Sequence, residues 1–324
     1  MMNRTKAISL MVAAMLTVPV MMPAMGACAE EQAGMPNPWT ELEESVLAQD
    51  FSFNVPAGAE AVSCRRLDTL AEVTFTLDGA EYCFRMQATS EAADISGLYY
   101  DWEDDMTESV GVNAAAFHEA TDGDTAVRLL TWYDVSSGTS YALSAMGGDL
   151  TAADLELIAN EMYVSGQTDV GLSSLAELNG KTFTFCSGAG AWFTELTVGE
   201  DGSFTGSFHD SNLGEADEEL YPSGTVYGCT FSGRFEQVGS SLRVAELEPD
   251  EGQVPEAIED GVRYVTTQPY GLTIGAIFGV YAPGAAADSM CDEARVWFHL
   301  MGEDATALTG YGLYDAANEV GFAE

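Results

Sequence analysis

The stretch Lys181–Ser211, KTFTFCSGAGAWFTELTVGEDGSFTGSFHDS, decides the fold of the second half of the chain. Apolar and polar residues alternate in Thr182–Phe185 and again from Trp192 to Val198. Asp201-Gly202 is a hairpin turn signal, after which the alternation returns in SFTGSF. A period of two, interrupted by short turns, is typical of antiparallel strands that bury one face.

The same alternation continues toward the C-terminus, where we predict further strands up to Arg295–Leu300 and Gly310–Tyr314. About eight to ten short strands separated by Gly- and Asp-rich turns indicate a meandering barrel or a sandwich. Closure into a barrel would remove exposed strand edges. We therefore predict an all-β, antiparallel, lipocalin-like barrel module over residues 170–324. A barrel of this size either holds one small ligand or is filled by its own side chains, and both alternatives stay open.

Short alternating runs also occupy the first half of the chain. Asp78-Gly79, between two of these runs, is a strong signal for a tight hairpin. We predict strands at the following positions: Ala61–Leu67, Ala71–Leu77, Glu81–Gln87, Val110–Ala116, Ala126–Tyr133 and Ser140–Ala145.

Two helix starts frame these strands. Thr40 is followed three residues later by Glu43, which matches the capping-box spacing, and Thr151 with Asp154 opens a second apolar-periodic segment. We therefore predict an α+β module over residues 38–165, in which two helices accompany an antiparallel sheet.

The N-terminus has the pattern of an export signal. A short basic region with Arg4 and Lys6 precedes an apolar run, and small residues follow at Gly26–Ala29. We predict a signal peptide over residues 1–29 and an extracellular or cell-surface location. Alternatively, Cys28 is lipidated and anchors the chain to a membrane. No second long apolar run follows, so we predict no transmembrane helix after cleavage.

Net charge limits the range of partners. All 52 acidic residues follow the predicted signal peptide but only nine of the 11 basic residues do, so the net charge after cleavage is −43. Such a field repels nucleic acid and anionic lipid and attracts cations. We therefore expect no nucleic-acid partner.

The predicted mature chain has an odd number of cysteines beyond Cys28. Beyond Cys28, five cysteines remain, so at least one thiol has no partner within the chain. Cys64 with Cys83 and Cys186 with Cys229 are the plausible disulfides, and buried free thiols are the alternative.

The runs NPWTELEESV at 37–46, FSFNVPAGAE at 51–60 and YPSGTVYGCTFSG at 221–233 carry a family resemblance, together with the opening stretch. The chain resembles exported two-module proteins of Gram-positive gut anaerobes. Their N-terminal domain, which has no assigned activity, is similar to the extracytoplasmic ends of anti-sigma-factor-like proteins. The resemblance implies an exported, surface-associated protein and supplies no catalytic residue.

Aromatic residues provide the candidate ligand site. Tyr99, Tyr100 and Trp102 lie in an acidic loop, and Trp192 and Tyr227 lie in predicted strands of the barrel. Aromatic side chains beside carboxylates are typical of surfaces that recognise sugars or cations. The chain has no nucleophile-elbow or SxxK motif, so we assign no catalytic residue.

Calcium is the only cofactor that the sequence suggests. The segment HDSNLGEADEEL offers oxygen ligands at Asp210, Asn212, Glu215 and Asp217. It does not match an EF-hand, because the glycine and the terminal glutamate are out of position.

These observations favour a non-enzymatic binding or sensing protein of the cell envelope or the extracellular space. We expect its partner to be a small molecule, a glycan or an envelope component. One alternative is a secreted hydrolase that uses carboxylates, and another is a structural envelope protein whose acidity holds cations.

Overall fold

A computed structural model describes residues 37–186, 191–301 and 305–324. The predicted signal peptide and Cys28 lie outside these residues. Pro38–Glu324 forms one compact unit that is mostly β, with few helices in its described part.

The first sheet is antiparallel, and eight strands of the described chain form it in the order β1-β2-β3-β4-β8-β7-β6-β5. Two meanders thus lie side by side and join where β4 pairs with β8. Asp78 and Gly79 both have positive φ in the β3–β4 turn, as the predicted tight hairpin requires. The strands are β1 Thr40–Leu42, β2 Glu60–Leu67, β3 Leu70–Leu77, β4 Ala80–Ala88, β5 Asp104–Val110, β6 Asn113–Asp122, β7 Thr125–Asp134 and β8 Thr139–Met146.

The predicted helix start at Thr40 is wrong. Thr40 begins β1, which pairs with β2, and helix α1 is only the four residues Glu44–Leu47. A helix of only a few residues is marginal in isolation, whereas pairing with β2 gives Thr40–Leu42 partners in the sheet. The tertiary context therefore overrides the local capping signal.

Helix α2, Ala152–Met162, confirms the second predicted start. Thr151 and Asp154 form the reciprocal capping box, which satisfies backbone N–H groups that would otherwise lack a partner. Leu155, Ala159 and Met162 are buried in the core of the first sheet. The helix also contacts the second sheet, so it lies between the two.

Eight strands of the described second half close into an antiparallel barrel, in the cyclic order β11-β10-β9-β18-β17-β16-β13-β12. The pairing of β11 with β12 closes the ring, and the β14–β15 hairpin joins β12 by parallel pairing. The strands are β9 Thr182–Cys186, β10 Trp192–Val198, β11 Ser203–Asn212, β12 Thr225–Val238, β13 Ser241–Pro249, β14 Glu256–Glu259, β15 Val262–Thr266, β16 Ile277–Tyr281, β17 Gly312–Asp315 and β18 Val320–Ala323.

The prediction that this half is all-β is wrong at one place. The segment predicted as the strand Arg295–Leu300 belongs to helix α3, Asp292–Met301. Ala294, Trp297 and Phe298 are buried, and their spacing of three and four residues places them on one helical face. None of the helices in the described ranges is long and apolar enough to cross a membrane.

The barrel interior is filled by its own side chains. Large and small residues face each other there: Phe204 lies opposite Gly233, and Phe231 lies opposite Gly206. A Cβ added at Gly233 would lie 2.4 Å from the Phe204 ring and 2.3 Å from a backbone oxygen of β13. The glycines therefore make room for the rings, each of which contributes about 1.5–3 kcal/mol by its burial.

The predicted disulfide between Cys64 and Cys83 is not formed, and all five cysteines of the described residues are free. Cys64 lies opposite Val73, whereas Cys83 lies opposite Thr74. Neighbouring residues of a strand point to opposite faces, so the two thiols lie on opposite faces of the sheet.

The same reason separates the second predicted pair. Cys186 lies opposite Phe193, whereas Phe185, one residue earlier, lies opposite Thr194. Thr194 continues across the sheet to Phe208 and Cys229. Cys229 therefore faces the barrel interior and Cys186 faces outward, where it is exposed.

Replacing Gly233 by valine tests the packing inside the barrel. We expect the free energy of unfolding to fall by about 1–3 kcal/mol, because the new side chain collides with Phe204 and with backbone. Chemical denaturation measures the loss, and Ser232→Ala, at the exposed neighbouring position, is the matched control. Equal stability of the two variants would contradict this account.

Candidate functional site

A row of three predicted site residues lies at one mouth of the barrel. Trp192, Asp210 and Tyr227 are direct cross-strand neighbours on β10, β11 and β12. They lie two residues along their strands from the interior row that contains Thr194 and Phe208. Because side chains two residues apart share a face, the row faces the inside of the barrel just beyond its filled core.

The segment after β15 folds into this mouth. The Thr194 hydroxyl donates a hydrogen bond of 2.6 Å to the backbone oxygen of Tyr270, and Leu272 is buried in the barrel core. Between them, Gly271 has a φ of 84°, and a Cβ there would lie 2.6 Å from Phe185. Only glycine combines this backbone conformation with so close a contact.

Together these elements form an open cleft of about 590 Å³, which we call the mouth cleft. Its volume is within the range of small-molecule sites, about 300–1,000 Å³. It is lined by Trp192, Phe208, Asp210, Tyr227, Thr267, Gln268, Pro269 and Tyr270.

Aromatic rings form the wall of the mouth cleft in two orientations. The Trp192 and Tyr270 rings are nearly perpendicular, at 84° and with centroids 5.2 Å apart. Phe185 supports both of them from the barrel side, at 4.8 Å from Trp192 and 5.6 Å from Tyr270. The side chain of Tyr270 is 56% exposed, so its ring is accessible at the rim.

The charge of the mouth cleft is negative. Asp210 is the one charged side chain among its described lining residues, and it makes no hydrogen bond or ion pair within the described chain. Beside it, the Tyr227 hydroxyl donates a hydrogen bond to Glu215, which raises the pKa of Tyr227. Arg263 is held by both carboxylate oxygens of Glu256, at 2.9 and 3.3 Å, so its charge is neutralised locally.

The other predicted ligand residues lie in the loop that joins β4 to β5 of the first sheet. The Tyr100 and Trp102 rings are 5.5 Å apart, and Trp102 packs against the small cluster around Leu129. Tyr99 is 93% exposed. The structure therefore separates the five predicted aromatic residues into two places.

The four predicted calcium ligands make different contacts. Asp210 lines the mouth cleft, and Glu215 accepts the hydrogen bond from Tyr227. Asn212 and Asp217 instead accept hydrogen bonds from backbone N–H groups of their own turns. Within the described residues, no three metal-ligating side chains come together.

Sequence reasoning missed Tyr270 and the segment that carries it. The available signal was an aromatic residue between Pro269 and Gly271, beyond the end of a strand. Its position at the barrel mouth depends on a contact with Thr194, 76 residues earlier. No local pattern predicts such a contact.

A larger cleft of about 790 Å³ lies beside α3 and is a weaker candidate. Two of the polar groups that line it already have partners within the chain: Glu324 binds Lys181 at 2.7 Å, and the Tyr311 hydroxyl donates to Glu177 at 3.1 Å. A ligand that used these two groups would have to displace their contacts.

A buried acidic cluster lies where the first sheet meets the barrel. The backbone N–H of Ser109 on β5 donates to Glu156 of α2 at 2.9 Å, and its hydroxyl donates to Asp315 of β17 at 3.0 Å. Asn160 donates to the Ser109 carbonyl at 2.7 Å. Ser109 thus joins an edge strand, a helix and a barrel strand.

Burial makes this cluster sensitive to protonation. Glu156 is only 6% exposed, and desolvation raises its pKa to about 8, with smaller contributions from Glu108 and Asp315. Desolvation also raises the pKa of Glu108. The cluster is sealed by the two sheets, so we interpret it as part of the junction between them.

Comparison with known proteins adds no identification. No family model, no curated protein and no solved structure matches the chain.

Replacing Glu156 by glutamine tests the junction. The pKa of Glu156 in the folded protein lies above the ordinary value of 4.5 for a glutamate. The unfolded chain therefore binds fewer protons, and the stability of the wild type falls as pH rises from about 5 to 8. Glutamine keeps the acceptor for Ser109 but cannot ionise. We expect the free energy of unfolding of the variant, relative to that of the wild type, to rise by up to about 1.4 kcal/mol per pH unit in that window.

Denaturation at several pH values measures the difference, with Glu161→Gln on the exposed side of the same helix as control. A difference between wild type and Glu156→Gln that does not change with pH would refute the assignment.

Proposed function

We propose that the chain is an exported, non-enzymatic binding protein whose ligand site is the mouth cleft. The observation that carries the proposal is the row Trp192, Asp210 and Tyr227, held at the barrel mouth beside Tyr270. Its aromatic surface is accessible, and so is its carboxylate, which has no partner within the described chain. Such access is unusual for groups that serve only packing.

The filled barrel interior supports recognition at the mouth over enclosure of a ligand inside. Phe208 and its neighbours occupy the space below the mouth cleft. A ligand in this cleft therefore touches the rim of the barrel and remains open to solvent on one side.

The positions of the buried acids favour binding over hydrolysis. Carboxylate catalysis needs a group of raised pKa that reaches the substrate. Glu156 has a raised pKa, but it is enclosed in the junction with Asp315. Asp210, which is accessible, has no second carboxylate among the residues that line the mouth cleft.

The proposal includes the organisation that the sequence predicts. The first sheet and the barrel would act as two modules, at about residues 38–165 and 170–324, behind a signal peptide at 1–29. Surface attachment through Cys28 is the alternative to free secretion, and relatives would be exported proteins of Gram-positive gut anaerobes. A large hydrophobic core in each sheet supports the division.

A ligand screen tests the site. The full mature chain is screened by thermal shift against small molecules and on a glycan array, and each hit is repeated with Trp192→Ala and Tyr99→Ala. We expect binding to be lost with the first variant, which removes a wall of the mouth cleft. Binding should persist with the second, which removes an exposed aromatic residue of the loop between β4 and β5.

Two results would overturn the proposal. Hits that survive Trp192→Ala but disappear with Tyr99→Ala would move the site to the first sheet. Turnover of a hit, detected by mass spectrometry and abolished by one acidic substitution, would establish a hydrolase.

A further inference from the structure

We propose that the mouth cleft binds a small organic cation, an alkylammonium group, with Trp192 and Tyr270 against its alkyl surface and Asp210 as its counter-charge. This inference rests on the proposed function and specifies the chemistry of its ligand.

The charge of the mouth cleft favours a cation. Its described lining contains one carboxylate and no basic side chain. The Asp210 carboxylate is partly shielded from solvent and lacks an internal partner in the described chain. A partly desolvated carboxylate without a partner is costly, and a bound cation removes that cost. An anionic ligand would meet repulsion from Asp210 and from the strongly acidic chain.

The aromatic rings of Trp192 and Tyr270 also favour a cation. A cation within about 6 Å of an aromatic face is attracted by the negative face of the ring, most strongly for tryptophan. Elsewhere the chain supplies such cations itself, as Arg65 over Trp39 at 4.6 Å and Lys181 over Tyr311 at 4.9 Å. No basic residue of the described chain lies over Trp192 or Tyr270 in this way.

The shape of the aromatic wall favours a compact ligand. Trp192 and Tyr270 meet nearly at right angles, so they present a corner rather than one flat platform. A compact, rounded alkylammonium group contacts two walls of a corner at once. A flat sugar ring would instead favour a single open aromatic face with several hydrogen-bonding groups around it.

Choline and its neutral isostere, in which carbon replaces the ammonium nitrogen, test the inference directly. The two molecules have the same shape and one sharp methyl resonance, so ligand-observed NMR titrates both at matched ionic strength. We expect choline to bind the mature chain about tenfold more tightly than the isostere. Asp210→Asn should remove most of that preference, and Trp192→Ala should weaken choline binding by a similar factor.

Two controls separate this site from diffuse charge and from misfolding. Glu91→Gln removes one exposed negative charge from the loop that follows β4 and should leave choline binding unchanged. Asp210→Asn keeps the volume of the side chain, so the charge test stands even if the Trp192 variant is destabilised.

The outcomes distinguish the inference from the proposed function. Equal binding of choline and its isostere would overturn the inference that the ligand is a cation, but the mouth cleft would remain the binding site. Trp192-dependent binding of neutral mono- or disaccharides alone would have the same meaning. Equal weakening by Glu91→Gln and Asp210→Asn would show diffuse attraction and overturn the inference. Absence of any Trp192-dependent binding, in this titration and in the screen, would overturn both.

Discussion

Closure of the barrel by β11 and β12 is the constraint on which the rest of the structure depends. The two strands pair continuously from Ser203–Arg234 to Asn212–Thr225. This register sends alternate residues inward, which fills the interior with phenylalanines and glycines and turns Asp210 toward the mouth. A slip by one residue would reverse every side chain, and His209 would then face inward in place of its neighbours.

The filled interior explains why recognition would occur at the rim. The chain after β15 inserts Leu272 into the core and leaves the Tyr270 ring outside it, with Gly271 packed against Phe185. One short segment therefore fills one end of the barrel and supplies a wall of the mouth cleft. The same segment contributes to the barrel core and to the candidate site, so a substitution that alters the packing of the core also alters the shape of the mouth cleft.

Acidity has two roles in this molecule, and burial separates them. Most acidic residues are exposed and give the chain its net charge, but Glu156 and Asp315 are enclosed at the junction, where Ser109 bonds to both. Burial of Glu156 links the stability of the fold to pH, because a desolvated carboxyl binds its proton more tightly. Asp210 lies between these extremes, with enough shielding to act on a ligand and enough access to reach it.

The sequence by itself determined the strand-rich architecture, most strand positions and the second capped helix, because period-two alternation and capping are local signals. It also indicated the three members of the row at the mouth as candidate binding residues. Tertiary structure decided the rest. It made α3 a helix and placed Thr40 in strand β1. It also kept Cys64 apart from Cys83, since partners distant in sequence determine which face of the sheet each residue occupies. It also brought Tyr270 to Trp192, because ring closure and one hydrogen bond to Thr194 join segments that no local pattern connects.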